Sequence, residues 1–163
     1  MCGIWRILRK LMHELDEKDR QILNLLQKDG RMTLKEIGKA IDLSIDSTHK
    51  RLKKLVENKV VHIGAFIDPK KIGYDIVACA NIKIGNASDE EHKTFIDCLV
   101  KSPHVIDVIS TLGEYDLKIV FIAKTTEELE KIYRSVRHQF KDIISNWESV
   151  INLKVHKFEE YSL

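Results

Sequence analysis

The chain has 163 residues, of which 44% are hydrophobic and 32% charged, with a formal net charge of +2 at pH 7. That length holds one ordinary domain or two small ones, and the composition is that of a soluble globular protein. No apolar stretch reaches the roughly 20 residues of a membrane-spanning helix, which argues against a transmembrane protein.

In chain order, Met1–His13 is a short basic stretch in which Ile4, Trp5, Leu8, Leu11 and Met12 share one helical face. It reads as an extension upstream of a start at Met12, as a disordered tail or, less well, as a membrane-surface anchor. The spacing then predicts a helix from about Asp16 to Lys28. Asp16 caps it, Asp19 suits the helix dipole, and Gly30 supplies a left-handed stop. Leu15, Ile22, Leu23 and Leu26 form its buried stripe. A second helix opens on the capping box Thr33-x-x-Glu36.

A third helix starts at Ser44, ends near Glu57 and carries the basic cluster His49-Lys50-Arg51-x-Lys53-Lys54. A short helix, a tight turn and a longer basic helix make the pattern of a helix-turn-helix, whose second helix enters the major groove of DNA. Ser44, Ser47, His49 and Lys50 are the candidate contacts to bases or phosphates, and Arg51 and Lys54 reach the backbone. Thr33 and Thr48 complete the candidate set. Two plainer readings stand beside this one: a solvated basic face, and for Arg51 an ion pair with an acidic residue of the first helix such as Asp19.

Val60–Ile67 is β-rich and reads as the wing of a winged helix, and Asp68–Gly73 reads as a hinge because Pro69 and Gly73 break regular structure. Beyond it, Ile76, Ala78, Ala80, Ile82 and Ile84 alternate as a strand. Ser88-x-x-Glu91 caps a helix with Phe95, Ile96, Leu99 and Val100 inside. Val105–Thr111 and Leu117–Ala123 are strands joined across Leu112–Asp116. Thr125-x-x-Glu128 caps a helix with Leu129, Ile132, Tyr133, Val136 and Phe140 inside, and Val150–Phe158 is the last strand.

The order β-α-β-β-α-β is the ferredoxin-like pattern, so the fold class is α+β. Residues 1–14 are then an extension, 15–68 a winged helix-turn-helix, 69–74 a hinge and 75–160 a ferredoxin-like domain. Two helices cover one sheet face. The other carries Val77, Cys79, Val120 and Ile106 or Val108, and is expected to meet a second copy.

Charge follows the same division. Up to Asp68 there are 14 Lys and Arg against 10 Asp and Glu, and after it 13 against 15. A basic front half suits an anionic partner. Seven histidines stand singly and no nucleotide or hydrolase fingerprint occurs, so no metal or cofactor is expected. Cys2, Cys79 and Cys98 are odd in number and unpaired in spacing, which fits a reduced cytoplasmic setting.

In its motifs the chain resembles the leucine-responsive regulator/AsnC family of transcription factors. They are Leu15-Asp16-x-x-Asp19-x-x-Ile22-Leu23, Asp29-Gly30-Arg31, Glu36-Ile37-Gly38, Leu43-Ser44 with Arg51 and Leu55, and Leu112-Gly113-x-Tyr115-Asp116-Leu117. The chain departs from the family at Thr48, usually aliphatic, at Asp42 and Lys59, usually Gly or Asn and Gly, and at Asp46 near the groove.

The resemblance implies binding to pseudo-palindromic double-stranded DNA by a homodimer that assembles to tetramers or octamers. It also implies control by an amino acid or similar effector, in a pocket that uses Gly113, Glu114, Tyr115 and Asp116, with Ser149 beside it. Gly113 would offer N–H groups to a carboxylate, and Asp116 or Glu114 would meet an ammonium. The plain alternative is a turn in which Gly113 has positive φ and Asp116 fixes the loop. An architectural DNA-binding protein with little sequence preference is an alternative function. A siroheme decarboxylase-like subunit is another, disfavoured because its Phe-Pro and His/Tyr/Arg groups have no counterparts in Asp29–Thr33 and Val108–Gly113.

Overall fold

The structure, a computed structural model, describes residues 15–163, so the readings made on Met1–His13 lie outside it. The chain divides into two compact units: residues up to Phe66 together with Lys157–Leu163, and Ile67–His156.

The first unit holds three helices, α1 (Glu17–Lys28), α2 (Leu34–Ile41) and α3 (Ile45–Glu57). Asp16 and Asp19 form a reciprocal capping box at the start of α1. The helix ends differently from the sequence expectation. Its C-cap is Asp29 in extended conformation, and Gly30 does not take a left-handed φ. The core is Ile22, Leu23, Leu26, Ile37, Ile41 and Leu55, which are the apolar stripes of the three helices brought to one centre.

No strand forms over residues 60–67, so the expected wing is not a paired ribbon. A strand needs a partner ladder, and no described segment supplies one. Phe66 instead meets Phe158 edge-on, with ring centroids 5.3 Å apart.

In the second unit Asp68 caps a 3-10 turn, Pro69–Ile72, which Gly73 ends at φ +91°. The residues read as a hinge form this turn inside the second unit. Next come β1 (Ile76–Ile84), α4 (Asp89–Lys101), β2 (Val105–Ser110), β3 (Leu117–Ala123), α5 (Thr126–Gln139) and β4 (Ile144–Ile151). The sheet order is β2-β3-β1-β4, antiparallel throughout. This is the ferredoxin-like arrangement. Ala78, Ala80, Ile82, Leu117, Ile119 and Phe121 pack with Phe95, Leu99, Leu129 and Phe140 from the helices.

Three expectations change here. The last strand is Ile144–Ile151, not Val150–Phe158. It pairs through polar residues such as Asn146 and Glu148, which hide a strand from an apolar-alternation reading. A register shift between Val105 and Asp107 moves Val108 onto the helix-covered face, where it packs on the core. Val100 is exposed, and Cys98 packs against the core in its place.

Candidate nucleic-acid interface

The turn between α2 and α3 is built on contacts too close for other residues. A Cβ on Gly38 would stand 2.6 Å from the Leu43 carbonyl oxygen and 3.0 Å from Thr48 Oγ1. The Leu43 N–H donates to the Gly38 carbonyl at 2.9 Å. Asp42 takes the left-handed conformation, φ 55°, that lets the chain reverse, a strain glycine would not feel. Lys18 of α1 donates its ammonium to the Ile41 carbonyl at the end of α2.

Ser44 caps α3, its Oγ accepting the Ser47 N–H at 3.1 Å and donating to Ser47 Oγ at 2.9 Å. Ser44, Ser47, His49, Lys50 and Lys54 are all exposed. At spacings of three and four, Ser47, Lys50 and Lys54 line one stripe of the helix. Lys53 is exposed too and reaches Glu57 at 3.7 Å, a solvated pair of little strength.

Three candidates fall elsewhere. Thr48 is fully buried; its hydroxyl donates to the Ser44 carbonyl at 2.9 Å, the back-bonding open to a threonine inside a helix. It cannot touch a duplex and instead packs the turn. Thr33 is exposed, but its hydroxyl serves the α2 cap, donating to Glu36 Oε2 at 2.7 Å and accepting the Glu36 N–H at 3.3 Å. Arg51 turns toward α1, where Nη1 donates to Asp16 Oδ2 at 2.6 Å and Asp19 Oδ1 at 2.9 Å. The alternative structural reading of Arg51 is the one realised.

The pKa shifts follow from those contacts. The Asp19 N–H and then the Arg51 guanidinium hold the Asp16 carboxyl below its ordinary value, and the two carboxylates push Arg51 up. The Thr33 N–H lowers Glu36 in the same way.

In the second unit the loop residues Gly113 and Glu114 are exposed. Gly113 has open space around it and no left-handed φ, so a positive-φ turn is not its role. Asp116 Oδ2 accepts the Ile84 N–H at 2.7 Å, and the Asp116 carbonyl accepts the Thr111 N–H at 2.8 Å. Its side chain therefore pins the loop to the end of β1.

Tyr115 donates its hydroxyl to Glu148, which pushes the phenol up to about 12. Ser149 stands opposite Ala80, a core residue, and so lies on the helix-covered face. The β4 residue at the loop is Glu148, opposite Asn81, which sequence reasoning missed because its neighbours are set by cross-strand register. Among the described residues no group of His, Cys, Asp and Glu is placed to hold a metal ion. No described helix is long and apolar enough to cross a membrane.

Comparison with known proteins agrees with this geometry. Residues 15–56 match the AsnC-type helix-turn-helix domain. The chain is 36% identical over 152 residues to the HTH-type transcriptional regulator FL11 of Pyrococcus furiosus, covering 88% of this chain and 92% of that protein. The FL11 protein of Pyrococcus abyssi is 35% identical at the same coverage.

Among solved structures, an AsnC family regulator from Agrobacterium tumefaciens superposes with a TM-score of 0.79 at 22% identity, over 91% of this chain and 97% of that one. A Neisseria meningitidis transcriptional regulator in complex with L-Met gives 0.78 at 23%, over 88% and 93%. A capped helix-turn-helix with an outward basic stripe, a ferredoxin-like second unit and these relatives lead to one conclusion: the chain belongs to the AsnC/Lrp family of HTH-type transcriptional regulators.

Proposed function

We propose that the protein regulates transcription by inserting α3 into the major groove. Ser44, Ser47, His49 and Lys50 face bases or phosphates there, and Lys54 meets the backbone. The outward stripe Ser47-Lys50-Lys54, on a helix whose opposite side is sealed by Thr48 and Leu55, carries this reading. Arg51 acts indirectly, fixing α3 against α1 through Asp16 and Asp19.

The protein works as a homodimer or a higher even assembly, through the half-buried sheet face of Val77, Cys79 and Val120, in the cytoplasm and without catalysis. A small effector, an amino acid or a relative of one, acts at the loop of Gly113 to Asp116. L-Met bound to a protein of the same fold supports that class of ligand. In the loop, Asp116 is already engaged by the Ile84 N–H and Glu148 by the Tyr115 hydroxyl, which leaves Glu114 as the carboxylate able to meet an ammonium group.

Selection of bound duplexes from a random pool, repeated with each amino acid, tests the reading. Enriched two-fold-symmetric sites are expected, with affinity changed by at least one amino acid. Equal retention of all sequences would favour an architectural role instead.

A further inference from the structure

The last seven residues are assigned to the DNA-binding unit, although they follow the last strand of the other. They are held there mainly through their backbone. Gln27 of α1 accepts the Tyr161 N–H at 2.8 Å and donates its Nε2 to the Tyr161 carbonyl at 3.2 Å. One side-chain amide thus satisfies both main-chain groups of one residue, as a neighbouring strand would. One turn earlier, Asn24 donates to the Leu163 carbonyl at 3.1 Å, and Phe158 lies edge-on to Phe66.

Two amides at i and i+3 share a face of α1. They lie apart from Asp16 and Asp19, which receive Arg51 from the recognition helix. The same helix therefore carries both the tail dock and the Arg51 anchor.

We propose that Lys157–Leu163 is a strap, docked backbone-first on the Asn24–Gln27 face of α1. It holds the end of the chain on the helix that positions Arg51. The chain passes between the units twice, at Phe66–Ile67 and at His156–Lys157. The second passage follows β4, the strand that bears Glu148, by only the residues 152–156. The docked tail is thereby tied to β4 by a short run of chain. The strap residues are solvent-exposed, so their hydrogen bonds compete with water and the dock opens more easily than the core.

Hydrogen–deuterium exchange on the full chain tests this without any ligand. In the wild type the Tyr161 amide is expected to be protected. In the double variant Asn24→Ala/Gln27→Ala its exchange should rise about three- to tenfold. Removal of Lys157–Leu163 should speed exchange over Glu17–Lys28 by a similar factor and leave Ile76–Ile84 unchanged. Random-coil exchange at Tyr161 in the wild type would overturn the strap, as would an α1 indifferent to its removal. Should the truncated chain misfold, Phe158→Ala with Gln27→Ala in the full-length chain decides by the same α1 readout. None of these readouts involves DNA or an effector, so failure of the proposed regulatory function would leave the strap standing or falling by itself.

Discussion

Gly38 shows how much of the interface depends on atoms that never reach DNA. Its hydrogen lies against the Leu43 carbonyl and the Thr48 hydroxyl, so Gly38→Ala should destabilise the first unit by about 1–3 kcal/mol, read in a urea melt. An unchanged midpoint would mean the turn is looser than the 2.6 Å approach implies. Lys59 sits at φ 57° without glycine's freedom, and Lys59→Gly should raise stability by about 0.5–1 kcal/mol in the same assay.

Three capping carboxylates are shifted in the same direction. Asp16, Glu36 and Glu91 are each lowered chiefly by a backbone N–H, that of Asp19, Thr33 and Ser88 respectively. A depressed carboxyl contributes stability that is complete above its ordinary value and is lost as pH falls through the folded one. Thermal stability should therefore be flat above about pH 5 and decline below about pH 4, the ordinary range of these groups. Glu36→Gln should flatten part of that acid limb; an identical limb in the variant would show that the cap does not matter to it.

At the scale of elements, α3 has two sides with two tasks. Lys50→Ala with Lys54→Ala should weaken duplex binding, with the assembly state unchanged on a sizing column. The log–log salt slope should fall by about 0.9 for each phosphate that the wild type neutralises and the variant does not. An unaltered slope would place these lysines outside the interface. Arg51→Ala is a different experiment. It removes the guanidinium from the buried Asp19, so a drop of about 1–3 kcal/mol in stability should accompany any fall in affinity.

The helices are legible in the sequence because capping residues and 3.6-residue stripes are local signals. Asp16, Thr33, Ser44, Ser88 and Thr125 all cap as their spacing implies. The position of β4 is not, because a polar edge strand is defined by its neighbour and not by its own pattern. The side chains of Thr48 and Arg51 are ambiguous for a related reason: a helix's inner face is known only once its partner helix is in place.

At the scale of the whole molecule, the chain holds a helix-turn-helix unit and a ferredoxin-like unit, and it passes from one to the other at Phe66–Ile67 and back at His156–Lys157. Family membership and the outward basic stripe agree on a DNA-binding transcriptional regulator, for which we propose action in pairs. Half-sites for such a pair are expected about one helical turn, or a multiple of it, apart. The most direct measurement is selection from a random duplex pool at moderate salt, followed by footprinting with the wild type and with Lys50→Ala/Lys54→Ala. Paired insertion of α3 requires two-fold-symmetric sites, protected in the major groove at that spacing by the wild type and unprotected with the variant. Recovery of no preferred sequence, or the same footprint from both proteins, would contradict it.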